Sequence, residues 1–132
     1  MGEGAEVKRR LLVVEDEARF RELVSDVLEE HGWAVRAVGS AEAGLEALLE
    51  EPVDVLLTDF ELPRHNGGWL VREARARGVA PRGGAVLVTA TVGVERPEGV
   101  PLLQKPVDLG ELLQTLGRCA WRARGAQARH AE

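Results

Sequence analysis

Acids close two of the apolar runs in this chain. In LLVVEDEARF, residues 11–20, Leu11 to Val14 lead straight into Glu15, Asp16 and Glu17. In VDVLLTD, residues 53–59, the run ends on Asp59. Two further polar groups stand at similar places: Thr89 near the end of AVLVTA, and Lys105 just after LLQ. Carboxylates set side by side repel and are costly to desolvate. Either these acids lie in water at a helix start, or a cation sits among them. Oxygen-only ligands suit a hard ion, Mg²⁺ or Mn²⁺, and Mg²⁺ commonly bridges carboxylates to phosphate. An Asp carboxylate can also act as a nucleophile and form an aspartyl phosphate. A Thr hydroxyl and a Lys ammonium would then hold the phosphoryl oxygens as charge develops on them. The chain has 15 Arg and only two Lys, Lys8 and Lys105, so Lys105 departs from its habit. A compact ammonium on a flexible stem fits a tight phosphoryl pocket better than a planar fork.

Each feature has a plainer explanation when taken alone. Glu15 to Glu17 serve equally well as acids at a helix N-terminus. Asp59 opens a turn before Pro63, Thr89 is a strand former, and Lys105–Pro106 is a loop. What favours a site is the elements that carry these residues. Residues 10–15 read as a buried strand. Phe20, Leu23, Val24, Val27 and Leu28 have helical spacing over 17–30, and Gly32 caps that helix. WAVRAV, 33–38, is a second strand. Ser40 caps a helix to Glu50, and 53–59 is a third strand. LPRHNGG is a loop, followed by a helix over 68–77. AVLVTA, 85–90, is a fourth strand and LLQK a short fifth. Asp108 and Glu111 open a last helix, whose pattern dissolves after Trp121. Trp69 and Trp121 read as core or half-buried.

Strands alternating with helices predict an α/β fold, a parallel sheet covered on both faces. With right-handed crossovers this is a doubly wound five-stranded sheet of order 2-1-3-4-5, flavodoxin-like. Ligands then bind beyond the carboxyl ends of the strands, where the order reverses between strands 1 and 3. Glu15, Asp16 and Asp59 converge in that crevice, with Thr89 and Lys105 beside them.

Size and charge narrow the classes. A chain of 132 residues suits one domain. A net charge of −5 argues against a dedicated nucleic-acid binder. No apolar run approaches a membrane span of roughly 20 residues. The opening MGEGAEVKRR is unlike a signal peptide, and Glu6 stands where myristoylation of Gly2 needs Ser or Thr. A lone cysteine, Cys119, allows no internal disulfide and fits a cytoplasmic location.

The motifs VVEDE, LLTDFELPRHNGG, LVTA and QKPVD, in that order, resemble the receiver domain of bacterial two-component response regulators. The resemblance covers residues 8 to 121. It leaves 1–7 as an N-terminal extension and 122–132 as a disordered tail. It implies that Asp59 accepts a phosphoryl group from a histidine kinase or phosphotransfer protein, with Mg²⁺ as cofactor. Asp16 would bind the metal directly, Glu15 through water, and Glu61 through its backbone carbonyl. Thr89 would bind the phosphoryl group and Lys105 pair with it. A cis peptide is implied between Lys105 and Pro106.

Two features depart from that family. Leu102 stands where an aromatic is common. The 15 residues between Thr89 and Lys105 include Gly93, Pro97, Gly99 and Pro101, so the family's helix between strands 4 and 5 is expected to be short or absent. Only 11 residues follow Trp121, too few for a DNA-binding module, so output is expected through an unknown downstream protein, unless the chain was cut from a longer one. The chain is read as a switch, not an enzyme. The alternatives are a phosphorylation-independent binding module and an Asp-nucleophile phosphatase. The latter resembles D-x-D-x-T, which Asp59, Glu61 and Pro63 do not match.

Overall fold

The structure, a computed structural model, describes residues 8–131, with side chains as far as Gly125. The expected extension over 1–7 lies outside the described residues. In chain order the elements are β1 (Arg9–Val14), α1 (Ala18–Glu30), β2 (Trp33–Val38), α2 (Ala41–Glu50), β3 (Val55–Asp59), α3 (Gly67–Ala76), β4 (Ala85–Thr89), β5 (Leu102–Gln104) and α4 (Leu109–Ala131). The five strands form one parallel sheet in the order β2-β1-β3-β4-β5, the expected doubly wound arrangement.

Side chains alternate across a strand, so one apolar run fills two cores. Leu12, Val14, Leu56 and Leu87 face α2 and α3, where Leu45, Leu48, Leu70 and Ala74 meet them. Leu11, Val13, Val55 and Val86 face the other way, against Leu28 of α1 and Leu112, Leu116 and Cys119 of α4. This two-sided burial is why β1, β3 and β4 read as unbroken apolar runs.

Helix ends follow side-chain chemistry. The Ser40 hydroxyl accepts from Ala43 N–H at 3.1 Å. Asn66 Oδ1 accepts from Trp69 N–H at 2.8 Å, and Asp108 Oδ2 from Glu111 N–H at 2.8 Å. Gly32, at φ 94°, turns the chain out of α1 in a conformation that L side chains rarely adopt.

Among the described residues no helix lies between β4 and β5. Residues 91–101 form turns and irregular backbone, as their glycines and prolines require. Pro97 and Val100 are buried and pin this loop to the sheet. Arg75 Nη2 of α3 donates to Glu98 O at 2.8 Å.

The C-terminal end differs from expectation. α4 runs on to Ala131, beyond Trp121 where the apolar pattern dissolves. Its buried stripe continues through Cys119, Ala120 and Ala123. These small residues carry a weak hydrophobic signal, although Ala and Arg are strong helix formers. Trp121 is 71% exposed, not core, with the Arg124 guanidinium 5.5 Å from its ring centre.

Candidate functional site

Register brings the acids together. The last row shared by β1 and β3 pairs Val14 with Thr58. Glu15 and Asp59 come one residue later on each strand, so they leave the sheet side by side. Asp59 pairs with Val88, and Thr89 with Gln104. Thr89 and Lys105 therefore follow at the same rim, where Lys105 N–H donates to Thr89 O at 2.8 Å. One carboxylate oxygen each from Glu15, Asp16 and Asp59 lies within 4.8 Å of the others. Beneath them lies an apolar floor that includes Phe20, Val24, Leu57, Val88 and Val107.

Gly67 fixes the chain beyond Asp59. A Cβ there would collide with the Asp59 carbonyl oxygen and come within 2.8 Å of Leu87 Cδ2. Only glycine allows this approach, and Gly67 N–H donates to Phe60 O at 2.9 Å. Glu15 is fixed differently: its Oε2 accepts from Glu17 N–H at 3.0 Å. Glu17 is the N-cap of α1, with Oε1 accepting from Phe20 N–H at 2.7 Å. It is thus tied to the helix end and stands outside the acid cluster.

Lys105 Nζ lies 3.1 Å from Asp59 Oδ1. Asp59 Oδ1 is buried, with no hydrogen-bond partner besides this ammonium. Phe20 lies beside the ammonium, 5.8 Å from ring centre to Nζ. Burial pushes the Asp59 carboxyl above its usual range; the Lys105 ammonium opposes this, while Glu61 and Asp16 add to it. Burial likewise raises Glu15, against the Glu17 N–H and with help from Asp59. Partial burial works against the charge on Lys105, but Asp59 and then Glu15 and Glu61 outweigh it and raise its pKa.

These residues fit a divalent cation. Three carboxylates against one ammonium leave two negative charges uncompensated. All the clustered donors are oxygens, and one of them, Asp59 Oδ1, is buried with only the Lys105 ammonium beside it. That set suits a hard ion such as Mg²⁺.

Glu61 stands apart from that cluster. Its carboxylate turns to β4, where it accepts from the Thr89 hydroxyl and from Ala90 N–H, the latter at 3.3 Å. This contact had no sequence signal: 28 residues separate the partners. Another pairing that the sequence left unread is the His65 ring stacked on Trp69, with centres 4.0 Å apart.

The sequence profile of the response regulator receiver domain matches residues 11–117. The chain belongs to the response regulator receiver family. The transcriptional regulatory protein AruR of Pseudomonas aeruginosa is 34% identical over 131 residues, covering 90% of this chain and 52% of that protein. The chain thus spans about half the length of this curated relative. The response regulator receiver protein CpdR of Brucella abortus is 29% identical, over 82% of this chain and 93% of that protein. Among solved structures, the signal receiver domain of an HD domain-containing protein from Pseudomonas fluorescens Pf-5 superposes with a TM-score of 0.81 at 19% identity, covering 92% and 93% of the two chains. At that identity it speaks for the fold alone. Receiver domains are mainly signalling modules, and this one has the flavodoxin-like fold with the expected strand order. The cis peptide expected at Lys105–Pro106 is present. Among the described residues no helix is long and apolar enough to cross a membrane.

Proposed function

We propose that this receiver is a phosphoacceptor switch, with Asp59 taking a phosphoryl group from the phosphohistidine of a histidine kinase or phosphotransfer protein. The observation that carries the reading is the juxtaposition of the buried Asp59 Oδ1 with Lys105 Nζ and the carboxylates of Glu15 and Asp16. Asp16 and Asp59 would hold Mg²⁺ directly, with Glu15 acting through water and Glu61 through its backbone carbonyl. When bound, Mg²⁺ supplies positive charge between the carboxylates and the phosphoryl oxygens.

An Asp59 oxygen attacks phosphorus and forms the new O–P bond. The N–P bond to the donor imidazole breaks, its electron pair stays on nitrogen, and the imidazole takes up a proton. Lys105 neutralises charge at the acceptor, and the Thr89 hydroxyl donates to a phosphoryl oxygen. Signalling then proceeds through contacts with a downstream protein in the cytoplasm.

A second reading, a binding module independent of phosphorylation, is favoured by one observation: the Thr89 hydroxyl already serves the Glu61 carboxylate. Intact-mass analysis after incubation with Mg²⁺ and acetyl phosphate tests between them. One added phosphate, absent from Asp59→Asn, is expected. Equal labelling of Asp59→Asn would overturn the site, and no labelling of either would favour the binding module.

A further inference from the structure

Glu61 lies two residues beyond Asp59 in an exposed loop, yet its carboxylate is not simply left to water. The Thr89 hydroxyl and Ala90 N–H donate to its two oxygens. A carboxylate and a phosphoryl group offer the same kind of acceptor oxygen. A hydroxyl has one proton to donate, and so has a backbone N–H. These donors can serve Glu61 or a phosphoryl group on Asp59, but not both.

We propose that Glu61 is a built-in competitor for the phosphoryl oxygens: its carboxylate holds Thr89 and Ala90 in the resting chain and must leave them when Asp59 is modified. This inference rests on the phosphoacceptor reading. The exchange also reaches the loop over 91–101. Thr91 N–H donates to Thr89 Oγ1 at 3.0 Å, so a change of partner at Thr89 is felt at the first residue of that loop. The Glu61 side chain thereby sets how readily the site accepts its modification, apart from any metal role of its backbone carbonyl.

The probe is fluoroberyllate, whose fluorines take the places of phosphoryl oxygens on an aspartate. It is titrated calorimetrically at saturating Mg²⁺ into the wild type, Glu61→Ala, Glu61→Gln, Thr89→Ala and the double variant Glu61→Ala/Thr89→Ala. Glu61→Ala should bind about tenfold more tightly than wild type, a modest figure for a charge-assisted hydrogen bond because Glu61 is exposed. Glu61→Gln should fall between them. In the Thr89→Ala background the gain should shrink, since one of the two contested donors is gone and only the Ala90 N–H remains. Equal or weaker binding by Glu61→Ala than by wild type would overturn the proposal. So would an undiminished gain in the Thr89→Ala background, which would reduce Glu61 to general charge repulsion. Failure of every chain to bind fluoroberyllate would instead overturn the phosphoacceptor reading, and this inference with it.

Discussion

Lys105 Nζ stands 3.1 Å from Asp59 Oδ1, an ion pair between a buried carboxylate and a partly exposed ammonium. Such a pair recovers little of what burying the carboxylate costs.

Asp59→Asn should therefore stabilise the fold at neutral pH. A gain on the order of 1 kcal/mol would raise Tm by about 3–5 °C in a domain of this size. The folded pKa of Asp59 is raised, so the folded state binds this proton more readily than the unfolded state does. Stability falls as pH rises from the unfolded value of 3.8 through the raised folded value, and the penalty is complete above it. Thermal melts of both chains at descending pH should find the difference shrinking towards pH 3.8. A constant difference would mean that Asp59 is not strained by its burial.

Metal affinity should separate two neighbouring acids. Asp16 belongs to the carboxylate cluster, whereas Glu17 caps α1. Asp16→Asn should weaken Mg²⁺ binding by at least about tenfold, because a site of few protein ligands loses one of them. Glu17→Gln should change it by less than about threefold, since its charge acts across exposed, high-dielectric surroundings. Removing the cap with Glu17→Ala should cost about 0.5–1 kcal/mol of stability. Calorimetric titration and denaturant unfolding read the two effects apart.

Gly67→Ala should be the more damaging change. The added methyl meets the Asp59 carbonyl oxygen and Leu87 Cδ2. Overpacking of this kind typically costs about 1–3 kcal/mol. The strain falls on the residue that bears the nucleophile, so labelling by acetyl phosphate should slow as well. A variant with wild-type stability and labelling would show that the loop yields freely.

The loop over 91–101 should exchange its amide hydrogens faster than the strands it joins, since few of its backbone groups are bonded within regular structure. Arg75→Ala removes the tie to Glu98 O and should speed exchange near 96–99 by several-fold, while β4 stays protected. Fluoroberyllate with Mg²⁺ should slow exchange at 89–92, where Thr89 and Thr91 are joined. Hydrogen exchange followed by mass spectrometry measures all three. Unchanged exchange at 89–92 would separate the loop from the site.

The strand order was legible because β1, β3 and β4 are apolar on both faces and each stops at a polar residue of distinct chemistry. The missing helix was legible because Gly93, Pro97, Gly99 and Pro101 cannot sustain one. Glu61 was harder. No periodicity governs a loop carboxylate, and sheet register, not sequence spacing, brings it to Thr89. The capping role of Glu17 was hard to read, because Glu is not among the preferred capping residues. The length of α4 was hidden by Cys119, Ala120 and Ala123, which pack well but signal weakly. In α1, Phe20 and Leu23 keep helical spacing yet are 41% and 58% exposed, with only Leu28 fully buried. Periodicity locates a helix face without saying how deep it sinks.

The short β5 has one more consequence, for solubility. As the last strand in the order, it leaves an edge at which a foreign chain could add itself. That edge is only Leu102–Gln104, and prolines stand on both sides of it at Pro101 and Pro106. Neither proline has an N–H to donate, so an incoming strand finds three residues of ladder and no means of extending it. The sheet is closed to strand addition on this side by brevity, where other sheets need a charge or a bulge.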